Sequence, residues 1–157
     1  MEILDIVAYF IKNSKEELTK GRLNKLIYLA DWKNCLEYNK QLTNIKWKFN
    51  HYGPYVDKIQ EEINNDVYKR IDIKSKKTKF GNPKYVVEIS KNKDFVEPNE
   101  NQKKILDFIL KLTNELDWNK FINLVYSTYP VKVSGRGEIM DLVKLSTEYK
   151  DKKHNVK

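Results

Sequence analysis

Residues 22–38, RLNKLIYLADWKNCLEY, set the tightest limit on what this chain can fold into. Leu23, Leu26, Ile27 and Ala30 form one helical stripe, and Leu29, Trp32 and Leu36 widen it beyond the arc that a surface helix buries. A helix apolar over so much of its girth belongs at the centre of a core, with the rest of the chain wrapped around it. Asp31 interrupts that surface. A carboxylate held among apolar residues needs donors, so Asp31 is assigned a structural role. The backbone N–H groups of the turn at 51–53 are its expected partners.

The flanking segments supply the wrapping. Ile3, Ile6, Val7, Phe10 and Ile11 give a first helix over about residues 2–13. Ser14 and Glu17 have the spacing of a capping box for a following helical segment, interrupted near Gly21. After the central helix, Ile45, Trp47 and Phe49 alternate with Asn44, Lys46 and Lys48, the period of a half-buried strand. Gly53-Pro54 ends it, with Pro54 expected in the first turn of a helix running from about Tyr55 to Asn64.

Two strand-like runs, VYKRIDI and KYVVEIS, enclose the loop KSKKTKFGNP and predict a β-hairpin in which Tyr85, Val87 and Ile89 share one face. The last third is helical. Asn99 and Gln102 form a reciprocal cap, and Ile105, Phe108, Ile109, Leu112 and Leu116 form its stripe. Asp117 caps a short helix that Pro130 stops, the loop SGRGE is a flexible connection, and Ile139, Leu142 and Val143 open a closing helix. The expected architecture is α+β and mainly helical. It is a single domain over residues 1–150, with a central buried helix and a small antiparallel β-sheet or hairpin, followed by a frayed basic tail at 151–157.

Composition narrows the function classes. No apolar run approaches the roughly 18 residues of a membrane span, and Glu2 and Asp5 stand where a signal peptide would be basic. A cytoplasmic protein without a membrane partner is expected. A single cysteine, Cys35, excludes an internal disulfide. The net charge of +8 points to acidic partners, yet Arg22, Arg70 and Arg136 are the only arginines among 30 basic residues. Base-edge reading favours the arginine fork, so nucleic acid is a secondary candidate.

Catalysis finds no footing. His51, His154 and Cys35 are scattered without the local pairing of metal sites, and no nucleophile motif accompanies His51. Glu61 and Glu62 are adjacent and point to different faces of their helix. No catalytic residue, metal or cofactor is assigned. Lys74, Lys76, Lys77 and Lys79 are read as a solvated turn that guards a strand edge. The competing reading makes them phosphate contacts on the wing of a winged-helix-like DNA-binding, autoregulatory protein. The aromatic group Trp32, Trp47, Phe49, Tyr52 and Tyr55 serves either as core or as an anchor surface, since Trp and Tyr dominate interface hot spots.

Residues 22–63 resemble the signature of the Panacea domain. The matching pieces are Lys25-Leu26-Ile27-Tyr28-Leu29-Ala30-Asp31, Gln41-Leu42-Thr43, Trp47-Lys48-Phe49 and Tyr52-Gly53-Pro54, in the family's order and spacing. Gln41 departs from the proline often found there, and is expected to alter a loop and little else. The resemblance implies a mostly helical domain acting as the antitoxin of a toxin–antitoxin pair, common on phages and mobile elements, that neutralises a cognate protein toxin by direct binding. One branch of the family implies the alternative role of an adaptor delivering its partner to a protease. No catalytic residues carry over. Under this resemblance Trp32, Trp47, His51, Tyr52 and Tyr55 are the candidate partner-binding residues, and Asp31, Gly53 and Pro54 the structural motif.

Overall fold

The computed structural model describes residues 1–91 and 94–155. Within them the chain forms seven helices and five short strands, mainly helical as expected. Helix α1 (Ile3–Asn13) precedes the two-residue strand β1 (Leu18–Thr19) and the long helix α2 (Lys20–Tyr38). Strands β2 (Lys48–Asn50) and β3 (Gly53–Tyr55) form a tight hairpin ahead of α3 (Lys58–Asn65). Strands β4 (Ile71–Lys77) and β5 (Pro83–Ile89) follow, then α4 (Glu100–Thr113), α5 (Trp118–Tyr126), α6 (Tyr129–Val133) and α7 (Leu142–Asn155).

Helix α2 is the axis of the molecule. Leu23 through Trp32 are buried without interruption, and α1, α4, α7 and β3 all pack on it. Arg22 shows how the wrapping is fastened. Its guanidinium lies 4.3 Å from the centre of the Phe121 ring and donates to the carbonyls of Thr113 at 2.7 Å and Leu116 at 3.3 Å. Thr113 is the last residue of α4, so its carbonyl has no partner within that helix, and Leu116 lies just beyond in the turn, its own N–H also bonding to the Thr113 carbonyl. On the opposite flank Trp32 meets Tyr149 of α7 edge-on at 6.1 Å. A three-stranded antiparallel sheet, ordered β1-β5-β4, lies to one side.

Several local expectations shift, each for a physical reason. Ser14 ends α1 instead of opening a helix, and Thr19 caps α2 by accepting from the Arg22 N–H, so Gly21 lies inside the first turn of α2. Pro54 is a strand residue rather than a helix start. The backbone of Phe49, opposite it, turns its N–H and carbonyl away to Glu138 and Gly137, so β3 needs no donor at Pro54. The loop SGRGE, expected as a flexible connection, is itself tied down, because the Gly137 N–H bonds to the Phe49 carbonyl and the Phe49 N–H to the Glu138 carbonyl, and just after it the Met140 N–H bonds to the Trp47 carbonyl.

The β-hairpin begins later than its sequence suggests, placing Lys74, Lys76 and Lys77 in β4 and only Lys79 in the turn. On β5 the buried pair is Val86 and Val87, while Tyr85 is exposed. Pro130 lies in the first turn of α6. The basic tail continues α7 to Asn155, with 156–157 outside the described residues.

Helix α4 keeps its Asn99–Gln102 cap but buries a face rotated from the expected one. Ile105, Leu106, Ile109, Leu110 and Thr113 point inward, leaving Phe108 and Leu112 exposed. Two apolar arcs overlap on this helix, and contact with α1 and α2 selects between them. Leu106→Ala should therefore cost about 3 kcal/mol, whereas Phe108→Ala should cost less than about 1 kcal/mol. Urea unfolding of the two variants checks this, and the reverse order would restore the original stripe.

Candidate interaction surface

The hairpin carrying the candidate residues is anchored from below by Asp31. This residue is fully buried, and its Oδ1 accepts from the Thr43 N–H at 2.9 Å. Its Oδ2 accepts from the Thr43 hydroxyl at 2.5 Å, the Trp47 indole N–H at 2.8 Å and the Gln41 amide at 3.3 Å. The donors thus come from residues 41–47 and not from the 51–53 turn. Gln41 does more than alter a loop, since its amide also donates to the carbonyls of Thr43 at 3.2 Å and Ile45 at 2.8 Å. Burial pushes the Asp31 carboxyl up to about 6 from its ordinary 3.8, against the opposing pull of the Thr43 and Trp47 donors.

From this anchor the chain rises to the surface with alternating faces. Ile45, Trp47 and Phe49 are buried, while Asn44, Lys46, Lys48 and Asn50 are exposed. Trp47 stands edge-on to Tyr28 at 5.5 Å, and Phe49 edge-on to Tyr126 at 6.2 Å. His51 and Tyr52 form the tip between the paired residues Asn50 and Gly53. Both keep negative φ, and Gly53 supplies the left-handed residue after them at φ +94°. A Cβ there would touch the Tyr126 ring at 3.5 Å, an ordinary contact, so the demand for glycine is conformational.

The candidate residues therefore divide. Trp32 and Trp47 are core side chains, 7% and 0% exposed, and Pro54 is buried beside them. Tyr52 is 82% exposed, His51 is exposed and Tyr55 half-buried. With Asn50, these last three line an apolar dimple of about 280 Å³. The lysines divide as well. Lys74 pairs with Glu88 at 2.9 Å, and Lys76 pairs with Glu17 and with Glu88 at 3.2 Å, so two of the four are already occupied. Lys77 and Lys79 have no carboxylate partner among the described residues.

Burial raises the Cys35 thiol to about 12, which leaves it protonated and unreactive near neutral pH. Among the described residues no three His, Cys, Asp or Glu side chains converge to hold a metal ion, and no helix is long and apolar enough to cross a membrane. The roles of Gln41 and Thr43 as donors to Asp31 were missed from sequence. Their presence just past the end of α2, ahead of an aromatic strand, was the signal available.

Comparison with protein families matches residues 23–130 to the model described as antitoxin SocA-like, Panacea domain. The matched span runs from the start of the buried stretch of α2 into α6 and includes the Asp31 network and the aromatic hairpin. No curated protein and no solved structure matches the chain.

Asp31 generates two expectations. Asp31→Asn keeps one acceptor oxygen but presents an amide to donors, and should destabilise the fold by about 3 kcal/mol. The folded chain holds the Asp31 proton more tightly than the unfolded chain does. Its stabilising contribution is therefore fullest below about pH 4 and is lost as pH rises through about 6. Urea unfolding at pH 4, 5, 6 and 7 should show the wild-type advantage over Asp31→Asn shrinking across that range, and a constant difference would contradict the assignment.

Proposed function

The chain belongs to the SocA-like antitoxin family with the Panacea domain, and on that premise we propose that it is the antitoxin of a toxin–antitoxin pair. It neutralises a protein toxin by direct binding and not by turnover. The observation that supports this most is the pairing of the family match with an exposed aromatic tip on a rigidly anchored hairpin. Tyr52 and Tyr55 offer large, stiff contact area, and His51 a polar contact beside them. The Asp31–Trp47 bond and the backbone bonds from 137–140 hold that tip in place before any partner arrives, which lowers the ordering cost of association.

The competing DNA-binding role draws less support, because Lys74 and Lys76 spend their charge on Glu88 and Glu17. A wing gripping phosphates would keep its cations free.

Co-expression with the product of the adjacent reading frame tests the proposal. The expected result is a growth-arresting product, rescue by this chain and a co-purifying complex. Absence of both toxicity and complex would reject the reading. Within that assay Tyr52→Ala should leave stability within about 0.5 kcal/mol while weakening the complex at least tenfold, about 1.4 kcal/mol or more. An undiminished complex would move the contact elsewhere.

A further inference from the structure

The last turns of α7 bring two aromatic rings and two ammonium groups to one opening. Tyr129 of α6 and Tyr149 of α7 are half-buried, with ring centres 5.4 Å apart and planes inclined by 53°. Lys152 Nζ lies 5.2 Å from the centre of the Tyr129 ring, and Lys153 Nζ 5.1 Å from that of Tyr149. These four residues line a largely apolar cleft of about 360 Å³, within the size range of pockets that hold small ligands.

Helix α2 fixes both rings from below. Trp32 meets Tyr149 edge-on at 6.1 Å, and the Tyr28 hydroxyl shares a hydrogen bond of 2.8 Å with that of Thr128, the residue before Tyr129. The two lysines are exposed and stand outside this framework. Neither has a carboxylate partner among the described residues. Glu148, one turn before Lys152, accepts instead from the Tyr129 hydroxyl at 3.5 Å.

Each component limits the occupant. Two ammonium groups repel a cation, and a wholly apolar group would cover them without supplying an anion. All four residues are helical, so the cleft offers no strand edge on which an extended peptide could pair. Ring faces and point charges remain. Unpaired bases stack on aromatic side chains while lysines follow the phosphates, and this mode needs no arginine fork to read base edges. A duplex keeps its base faces stacked inside, so only an unpaired nucleotide reaches the rings. We propose that Tyr129, Tyr149, Lys152 and Lys153 form a binding site for single-stranded nucleic acid, with one base against the tyrosine rings and the flanking phosphates on the two lysines. Cation–π contacts at exposed positions are weak enough to exchange, so a stacking base displaces the ammonium groups toward the phosphates. The scarcity of arginine, which counts against base-edge reading, leaves this mode untouched, and the net charge of +8 favours a polyanion. The inference is independent of the antitoxin reading and of the β4–β5 lysines.

The test is fluorescence anisotropy of a labelled single-stranded oligonucleotide of mixed sequence, titrated with the full chain at about 50 mM salt. Binding is expected, and a duplex and an abasic strand of the same length should each bind at least about tenfold more weakly, since neither presents an open base. Lys152→Gln/Lys153→Gln should lower affinity at least about tenfold and cut the slope of log affinity against log salt by about 1.4, from two contacts at about 0.7 each. Lys77→Gln/Lys79→Gln removes the same charge from the β4–β5 hairpin and should leave affinity within about twofold. All four lysines are exposed, and circular dichroism should show both variants folded. The abasic strand is read on wild-type protein, so its result stands whether or not a variant folds. The proposal is overturned by no binding at that salt, by a duplex or abasic strand that binds as tightly, or by equal losses in the two lysine variants. Poly-glutamate displacing the oligonucleotide as well as an unlabelled strand does would also overturn it, making the site a general sink for anions.

Discussion

The indole N–H of Trp47 reaches 16 residues back along the chain to the carboxylate of Asp31, and the geometry of the exposed hairpin follows from that bond. A carboxylate inside an apolar helix bundle is tolerated only when donors replace its lost water. Here residues 41, 43 and 47 all turn toward it. The connection after α2 is thereby folded against the helix, and the following strand leaves in one direction. With Trp47 fixed by its nitrogen and packed edge-on to Tyr28, β2 has a defined register. Phe49 then falls under Tyr126, and the tip two residues later has one orientation.

The opposite edge of β2 completes the arrangement. Residues 137–140 pair with Trp47 and Phe49, so the backbone groups facing away from β3 are satisfied. A three-residue strand would be marginal by itself. Joined to a buried carboxylate at its base and to backbone on both sides, it becomes a rigid support for His51 and Tyr52. The basic character of the chain plays a different part. Glu17 and Glu88 neutralise the middle of the β4–β5 hairpin, leaving lysines along an exposed edge strand where they discourage pairing with another chain.

Much of this was legible in residue order. The 3.6-residue period set α1, α2, α4 and α5, the caps at Asn99 and Asp117 hold as read, and the alternation of Ile45, Trp47 and Phe49 matches their burial. The misreadings share a cause, because each concerned a residue whose local chemistry allows two outcomes. Pro54 suits a helix start as well as a strand position that needs no donor. Phe108 and Leu112 lie on an arc as apolar as the one actually buried. The lysines after Ile73 suit a loop or an edge strand. Asp31 announced its need for donors, but nothing in its own segment said from where they would come.

By itself the sequence determined that α2 is central, that Asp31 needs donors, and that the chain turns at 51–53, because hydrophobic period, buried charge and backbone conformation are properties of single residues and their near neighbours. Tertiary structure decided which aromatics are core and which are surface, sending Trp32 and Trp47 inward and Tyr52 outward. It also left Lys25 buried beside Tyr55 without a counter-ion among the described residues. Both outcomes depend on what packs across the chain from distant positions, on Tyr28 and Tyr149 for the tryptophans and on Tyr55 for the lysine. No local pattern encodes those neighbours.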